Sequence, residues 1–413
     1  MLRNRSILED IRNHISNKQY TIITGARQVG KTSLIRLLYQ ELSNAHESIF
    51  FLNLEDRRIL DAVNVHPENI LNFIPIKPSP ILSQVQERPI LLLLDEVQYL
   101  TNPTNFLKYL YDTYEGNLKI IATGSSAFYI DRKFKDSLAG RKRIFPLYPL
   151  SFDEFLSFRD EQALLTEISY LRSQDSYQSI QIDRIKSYLN EFLQFGGYPA
   201  VVLEDKEPEK KAILMELKNA YLKRDILESG VEKEQKFYLL LQLLADQTGK
   251  LVNKQELSNT LGIDSKTIDQ YVYILQKCFH IYLLRPFFRN LRKELTKMPK
   301  VFFNDLGLRN AFLNRFSPVD TRADRGELLE NFYFLQFRQV YNPDQIKFWR
   351  TTERQEVDFI IEESFGEGKA YEIKWNPSSF TIGKYKKFTQ TYPNFPLTCL
   401  SAQDFYLISE DLR

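Results

Sequence analysis

An eight-residue motif near the amino terminus constrains this 413-residue chain more than any other feature. Residues 25–32 read Gly-Ala-Arg-Gln-Val-Gly-Lys-Thr and satisfy the pattern GxxxxGK[ST] in full. The apolar run Tyr20–Thr24 precedes the motif and a helical pattern over Leu34–Glu41 follows it, so a strand leads into the loop and a helix leaves it. The loop N–H groups and the positive end of that helix would face phosphates. The sequence therefore predicts a P-loop nucleotide site in an α/β domain.

The predicted nucleotide contacts divide between the loop backbone and two side chains. Gly25 and Gly30 let the backbone curl so that its N–H groups face the phosphates. Lys31 can reach the β- and γ-phosphates, and Thr32 can ligate Mg²⁺. We therefore expect ATP and Mg²⁺ as cofactors. The predicted nucleotide-binding residues are Gly25, Ala26, Arg27, Gln28, Val29, Gly30, Lys31, Thr32 and Ser33.

A second apolar strand ends in two acids about 60 residues after the loop. Leu91–Leu94 is followed directly by Asp95 and Glu96, as in a Walker B strand. Asp95 would hold the Mg²⁺ shell, directly or through water. Glu96 would polarise the attacking water, which is typical of a hydrolase more than of a passive binder.

The next apolar run carries the candidate sensor of the γ-phosphate. Lys119–Thr123 leads into Gly-Ser-Ser, and ATPases with an additional strand place a polar sensor at this point. Ser125 is the favoured sensor and Thr123 is the alternative. A plain polar turn after a strand is the competing interpretation.

A basic run follows over residues 131–143. Oligomeric ATPases place an arginine in this region that reaches the γ-phosphate of a neighbouring subunit. Arg141 is the favoured candidate and Arg143 the second. The alternative is an ordinary solvated face, which is how most charge runs are used.

Hydrophobic patterning divides the chain into four segments. Residues 1–150 alternate strands and helices, which indicates a parallel sheet covered on both faces. Residues 151–230 have helical spacing and are predicted to form a lid. Residues 231–304 are predicted to form a winged helix, and residues 305–413 a mixed α/β domain.

The winged-helix prediction rests on a helix, a break at Gly262, a second helix over Ser265–Gln276 and two later apolar strands. The stretch Arg285–Lys300 is strongly basic and contains Phe287 and Phe288, which would suit a wing that grips DNA. A protein–protein or lid role is the alternative. Polar residues that the second helix could present to DNA are Lys266, Thr267, Gln270 and Gln276.

Carboxylates recur in the last segment. Asp358 precedes a turn, and Glu372 and Lys374 follow it at a spacing that directs both to one face of a strand. The pattern is similar to PD-(D/E)xK nucleases, although Val357 replaces the proline of the nominal motif. That similarity implies Mg²⁺ held by Asp358 and Glu372, with Glu327 as an extra acid and Lys374 helping to activate water. A nuclease fold kept only for DNA binding or structure is the alternative.

Several further motifs extend the resemblance to a family. They are GARQVGKTSLIRLLY, LLLLDEVQYL, ATGSSAF, SLAGRKRIFPLYPLSFDEFL, FGGYPAVV, YLKRDI and EVDF…EIKW. Together, from Arg5 to about Trp375, they resemble prokaryotic AAA-type ATPases whose C-terminal half resembles a winged helix plus a nuclease-like fold. The resemblance implies an α/β fold with an AAA-type core, ATPase activity and action on nucleic acid.

The amino-acid composition excludes few classes of function. Basic and acidic residues nearly cancel, for a net charge of +2, so the overall charge does not identify a partner. The apolar run Ile90–Leu94 is too short to span a bilayer, and the N-terminus has no signal-peptide core, so we expect a cytoplasmic protein without membrane contact. Cys278 and Cys399 provide no disulfide framework.

Three functions are consistent with these features. The favoured function is a Mg²⁺-dependent ATPase that forms a homo-oligomeric ring and acts on DNA. The alternatives are an ATP-regulated, metal-dependent DNA nuclease and a nucleotide-switched regulatory or scaffold protein.

Overall fold

The computed structural model describes residues 2–44, 48–80, 89–124, 138–174, 176–288, 292, 294 and 297–408. For six residues within 221–228 it describes the backbone alone. The chain forms two compact units. The first comprises residues 1–148 with 277–279, and the second comprises residues 149–276 with 280–413.

The first unit is built on a five-stranded parallel sheet in the order β2-β3-β4-β1-β5. Its strands are β1 (Tyr20–Gly25), β2 (Ile49–Asn53), β3 (Ile90–Asp95), β4 (Leu118–Gly124) and β5 (Lys142–Leu147). Its helices are α1 (Ile7–His14), α2 (Lys31–Ser43), α3 (Arg57–Val65) and α4 (Pro103–Tyr114). The order places β4 between the P-loop strand and the strand that ends in two acids, which is the additional-strand arrangement expected from the sequence.

Strands β1, β3 and β4 are fully buried, whereas β5, which the sequence did not predict, lies at an edge. Every residue of β1, β3 and β4 is buried, which is why each appears as an unbroken apolar run. In contrast, β5 lies beside β1 with Arg143 and Ile144 exposed. Its mixture of basic and apolar residues fits an edge strand, which charged side chains protect from further pairing.

The second unit begins with helices. They are α5 (Phe152–Phe158), α6 (Gln162–Ser173), α7 (Ile182–Phe195), α8 (Pro199–Val202), α9 (Glu207–Ser229), α10 (Glu234–Asp246), α11 (Lys254–Leu261) and α12 (Ser265–Lys277). Asn253 caps α11 by accepting from the N–H groups of Gln255 and Glu256, and Gly262 ends it in the left-handed conformation. The predicted helix, break and second helix are therefore present.

Two sheets follow these helices. An antiparallel pair is formed by β6 (Ile281–Leu284) and β7 (Lys300–Phe303). A four-stranded sheet in the order β11-β10-β9-β8 comprises β8 (Ile346–Arg350), β9 (Glu356–Ser364), β10 (Glu367–Lys374) and β11 (Leu397–Ser401). The accompanying helices are α13 (Leu306–Leu313), α14 (Arg325–Val340) and α15 (Lys386–Thr391).

One core joins the segments that the sequence divided into lid, winged helix and α/β domain. Phe152 of α5 and Phe192 of α7 each stand edge-on to Phe332 of α14, with ring centroids 6.0 Å apart. The same core continues through Phe302 of β7 to Phe359 of β9. The segments 151–230, 231–304 and 305–413 all contribute to the second unit, although residues 277–279 belong to the first.

Gly196 and Gly197, the glycine pair in FGGYPAVV, both lie against the buried carboxylate of Asp305. Asp305 accepts hydrogen bonds from the N–H groups of Gly197 and Leu308, the latter at 2.7 Å, and thereby caps α13. A Cβ on Gly196 would overlap the Asp305 carboxylate, and one on Gly307 would overlap the carbonyl of Phe195. Burial raises the pKa of Asp305 to about 6, and the backbone hydrogen bonds only partly oppose this rise.

Across the residues that the model describes, none of the helices combines the length and apolar character needed to cross a bilayer.

Candidate functional site

The P-loop takes its shape from backbone conformations that few residues adopt. Gly30 has a φ of 99° and stands immediately before α2, and Gln28 has a φ of 55°. A Cβ on Gly25 would overlap the carbonyl oxygen of Leu147 on β5. The two glycines of the motif therefore meet different demands, because Gly30 supplies a left-handed turn and Gly25 supplies close contact with the edge strand.

Two basic side chains brace the loop. The Lys31 ammonium is buried and donates to the carbonyls of Gly25 and Ala26 at 3.0 and 2.7 Å. Arg5 donates to the carbonyl of Val29 at 2.9 Å and to that of Tyr148 at 2.8 Å. Sequence analysis did not select Arg5, because it lies before α1 and outside the P-loop motif.

The acidic strand end lies on the same edge of the sheet as the P-loop, because parallel strands share one direction. Asp95 is buried and accepts a short hydrogen bond from the hydroxyl of Thr123. The same hydroxyl accepts from the Glu96 N–H at 3.0 Å. Glu96 has a left-handed φ of 63° and accepts from the Gln98 amide. Thr123 thus connects both acids to the end of β4.

The favoured sensor, Ser125, lies outside the described residues, so the choice between it and Thr123 stays a prediction. Thr123 is the candidate whose contacts are visible. Thr32 is half-buried at the start of α2, and Thr32 and Asp95 are the residues that could hold the Mg²⁺ of a bound nucleotide.

Arg141 lies at the opposite end of the sheet from the P-loop. Its carbonyl accepts from the N–H of Tyr20, the first residue of β1, whereas the P-loop follows the last residue. Its guanidinium pairs with Asp112 of α4 at 2.7 Å. Arg143 is exposed, and its guanidinium lies 5.1 Å from the ring centroid of Phe145.

Asp358 and Glu372 lie on neighbouring antiparallel strands of the second unit. Asp358 comes directly before Phe359 and Glu372 directly after Tyr371, the residues that pair in the ladder, and both acids are buried. Asp358 accepts from the N–H of Ile373 at 2.9 Å, and Glu372 accepts from the Lys374 ammonium. The predicted proximity of these three side chains is therefore present.

Lys300, the last residue of the stretch predicted to contact DNA, lies among these acids. The Lys300 ammonium is 2.6 Å from Glu356, 2.8 Å from Glu330 and 3.4 Å from Asp358. Despite the burial that opposes its charge, these anions raise the pKa of Lys300. Burial is the main cause that raises the pKa of Glu330 to about 8 and that of Glu372 to about 7. We call Lys300, Glu330, Glu356, Asp358 and Glu372 the carboxylate cluster.

The predicted extra acid, Glu327, does not join this cluster. Glu327 is in the first turn of α14 and lies 3.6 Å from Lys250, whereas Glu330, one turn later, faces Lys300. Among the described residues, no group of three or more His, Cys, Asp or Glu side chains is arranged to hold a metal ion. The rotation of α14 about its own axis decides which acid faces Lys300, and the sequence alone does not determine that rotation.

Among the described residues of the stretch Arg285–Lys300, fewer basic side chains are exposed for DNA contact than the sequence suggested. Phe287 is buried beside Tyr392 and Phe395, with ring centroids 5.2 Å away in each case. Lys300 is buried among carboxylates, and residues 289–291, 293 and 295–296, which include Arg289 and Lys293, lie outside the described residues. The exposed basic side chains that remain are Arg285, Arg292 and Lys297.

Comparisons with protein families match the first unit to a described domain and the second unit to domains of unknown function. Residues 17–156 match the family model described as AAA domain. Residues 186–319 and 325–404 match two domains of unknown function, DUF8612 and DUF4143.

The similar curated proteins are uncharacterized. One from Methanocaldococcus jannaschii is 27% identical over 395 residues, which cover 92% of this chain and 81% of that protein. One from Haemophilus influenzae is 29% identical over 374 residues, which cover 87% and 82%.

Solved structures show only distant similarity. The Aeropyrum pernix ORC1 protein in complex with DNA is 12% identical, with a TM-score of 0.34 over 76% of this chain and 94% of that one. The Thermotoga maritima RuvB Holliday junction branch migration motor is 13% identical, with a TM-score of 0.33 over 68% and 89%. These TM-scores are too low to carry an argument about this chain.

The conclusion for the first unit rests on its own geometry and on the AAA domain match. A P-loop follows β1, two acids end β3, and β4 lies between these strands. Residues 17–156 therefore combine a P-loop on a parallel sheet with a match to the AAA domain model.

Proposed function

We propose that this chain is a Mg²⁺-dependent ATPase that works as a homo-oligomer, in a ring, and acts on DNA. The observation that carries the hydrolase assignment is the connection of Asp95 and Glu96 through the hydroxyl of Thr123. This connection fixes both acids at the edge of the sheet where the P-loop begins. A domain that only held a nucleotide would not need a second acid at this position.

Each side chain has a separate role in the proposed reaction. Lys31 and the loop N–H groups hold the β- and γ-phosphates, and Thr32 and Asp95 hold Mg²⁺. Glu96 orients a water molecule toward the γ-phosphorus and accepts its proton as the phosphate leaves. Thr123 orients Glu96 through its hydroxyl, and Ser125 is the proposed sensor of the γ-phosphate.

The position of Arg141 supports action between subunits. Along β5, residues 142–147 extend over roughly 17 Å at about 3.3 Å per residue. An arginine at the start of this strand cannot reach the P-loop of its own chain, which lies beside the end of β5. We infer that Arg141, with Arg143 as the second candidate, reaches the γ-phosphate of a neighbouring copy.

DNA contact is proposed for the segment around α12 and the β6–β7 pair. Three helices followed by an antiparallel pair have the element order of a winged helix. Lys266 and Gln270 are exposed on α12, and Arg285, Arg292 and Lys297 are exposed between the two strands. Thr267 is less suited to this role, because its hydroxyl donates to Asp264.

The four-stranded sheet is proposed to be a nuclease-like fold that holds DNA without cutting it. Its two strands with Asp358 and Glu372 support the resemblance, but Lys300 lies among the acids that a metal would need. Incubation of the protein with Mg²⁺ or Mn²⁺ and supercoiled plasmid should therefore leave the plasmid intact. Nicking that is lost in Asp358→Ala would show instead that the nuclease alternative is correct.

ATP hydrolysis by two variants tests the central proposal. Lys31→Ala should lose nucleotide binding, because the side chain that reaches the phosphates is gone. Glu96→Gln should bind ATP normally and hydrolyse it more slowly by on the order of 10²-fold or more, because only the orientation of the water is lost.

The matched control is Glu55→Gln, since Glu55 is an exposed acid near the end of β2 whose partner is the Tyr99 hydroxyl. It should hydrolyse ATP at the wild-type rate. Equal rates for Glu96→Gln and wild type would exclude Glu96 from catalysis and favour the nucleotide-switched scaffold.

A further inference from the structure

Lys300 is surrounded by carboxylate oxygens on three sides. Its ammonium lies 2.6 Å from Glu356 of β9, 2.8 Å from Glu330 of α14 and 3.4 Å from Asp358 of β9. Its side chain is only 1% exposed. A cation at the meeting point of three acids occupies the position that a metal ion would otherwise take.

The remaining oxygens of two of these acids are also in use. The second oxygen of Glu356 pairs with Arg350, and that of Asp358 accepts from the Ile373 N–H at 2.9 Å. Mg²⁺ requires near-octahedral coordination by oxygens at about 2.0–2.1 Å. A metal ion at this position would have to displace the ammonium and break hydrogen bonds in the sheet.

Lys300 is itself held in place. Its backbone pairs with Leu284 in the β6–β7 ladder and with Leu251 on the other side. The ring centroid of Phe348 lies 5.5 Å from the ammonium. Because the side chain cannot turn out to solvent without removing the cation that these three carboxyl groups share, its displacement is costly.

We propose that Lys300 is the resident cation of the carboxylate cluster and that the ammonium closes the cluster to divalent ions. The cluster joins β7, α14 and β9 through charge rather than through metal coordination. Removing the ammonium should convert the same three carboxylates into a divalent-cation site. Ca²⁺ is the best probe, because it accepts irregular oxygen ligands at about 2.3–2.6 Å and Mg²⁺ does not.

The test compares wild type with Lys300→Ala as full chains without nucleotide, by calorimetric titration with Ca²⁺ and by thermal unfolding. Wild type should bind no Ca²⁺ and should keep its unfolding midpoint. Lys300→Ala should unfold at a lower temperature and should bind one Ca²⁺ per chain. Its midpoint should then rise by roughly 5 °C or more at a hundredfold excess of Ca²⁺ over the dissociation constant.

The matched control is Lys347→Ala. Lys347 is also largely buried and lies 3.1 Å from each of two carboxylates, Glu294 and Glu362. Its removal should destabilise the protein without creating a Ca²⁺ site, because two carboxylates without a third provide too few ligands. Equal rescue of both variants by Ca²⁺ would mean that the effect is nonspecific, and it would overturn the assignment.

If Lys300→Ala does not fold, binding of divalent ions to the wild-type protein tests the proposal. Stoichiometric binding of Ca²⁺, Mg²⁺ or Mn²⁺ to wild type, lost in Asp358→Asn, would show that the ammonium does not close the cluster. Lys300→Met keeps all three carboxylates, fills more of the space of the lysine side chain and can replace Lys300→Ala. A folded variant of either kind that binds no Ca²⁺ would also overturn the proposal.

Discussion

Thr123 illustrates how much a single hydroxyl can determine at the nucleotide edge of the sheet. It donates to Asp95 and accepts from the Glu96 N–H, so it positions a candidate metal ligand and the candidate base together. Sequence reasoning ranked Ser125 above it, because both are polar residues at a strand end and the sequence contains no distances. The contacts of Thr123 became visible only in the folded sheet.

We predict that Thr123→Val slows ATP hydrolysis by roughly 10- to 100-fold and leaves the affinity for ATP nearly unchanged. Valine keeps the shape of threonine but can neither donate to Asp95 nor accept from Glu96. Steady-state hydrolysis and equilibrium binding of a fluorescent ATP analogue would measure the two effects separately.

Thr21→Val is the control for this substitution. Thr21 is fully buried in β1, at the other end of the sheet, where its hydroxyl contacts His14 at 2.8 Å. This variant should lower stability without lowering the rate. A similar loss of rate in both variants would mean that Thr123 acts only through the stability of the sheet.

A local motif determines the backbone geometry of the P-loop, whereas tertiary packing selects the acid that faces Lys300. The P-loop side chains follow from eight consecutive residues, and the structure has that loop between β1 and α2. In contrast, Glu330 rather than Glu327 faces the cluster, because that depends on how α14 is rotated against the sheet. A lysine within the buried strand β7 was the one signal that could have indicated Lys300.

At the scale of elements, β5 is a strand that sequence analysis missed, and Arg141, the proposed contact to a neighbouring subunit, lies directly before it. Its first half is basic, so the pattern resembled a solvated charge run, yet it pairs with the whole length of β1. An edge strand is buried on fewer sides than a central strand and therefore lacks a continuous apolar pattern. The three central strands, β3, β4 and β1, were predictable because apolar residues predominate in each of them.

We predict that Arg141→Ala slows hydrolysis by on the order of 10³-fold when every subunit carries it. Mixing it with Lys31→Ala subunits should restore part of the activity, because the hybrid interface combines an intact P-loop with an intact arginine. Hydrolysis measured across a series of mixing ratios would show this recovery.

Two variants of neighbouring residues serve as controls for Arg141. Asp112→Asn removes the partner of Arg141 but keeps the arginine, so hydrolysis should persist. Arg143→Ala tests the second candidate directly. Normal hydrolysis by Arg141→Ala would leave it as a surface residue, and loss in Arg143→Ala alone would transfer the role to Arg143.

For the whole molecule, the small net charge of +2 means that any DNA affinity must come from local surfaces. The described part of the basic stretch offers Arg285, Arg292 and Lys297 at the surface, while Lys300 is neutralised by the carboxylate cluster. Counting charges along the sequence therefore overestimated the available positive surface. The sequence does not reveal that Lys300 is buried whereas Lys297 is exposed.

We predict that Arg292→Ala/Lys297→Ala weakens duplex DNA binding and flattens its dependence on salt. Each lost phosphate contact should lower the slope of log affinity against log salt concentration by roughly 0.9. Binding measured by fluorescence anisotropy at several salt concentrations gives this slope.

The comparison variant is Lys206→Ala/Lys233→Ala, which removes two exposed lysines from another part of the second unit. Its slope should match that of wild type. Equal slopes for all three proteins would mean that DNA, if bound, follows a different surface.

The hydrogen bond from the Gly197 N–H to Asp305 has a consequence for how the chain is made. It links residues that are 108 positions apart, whereas the five-stranded sheet of the first unit is complete by residue 147. Ribosomes add about 5–20 residues per second, so Gly197 waits roughly 5–20 s for its partner to be synthesised. Phe152 of α5 and Phe192 of α7 wait longer still, because Phe332 of α14, against which they pack, follows Asp305 in the chain. We expect chaperones to bind the nascent chain at this stage.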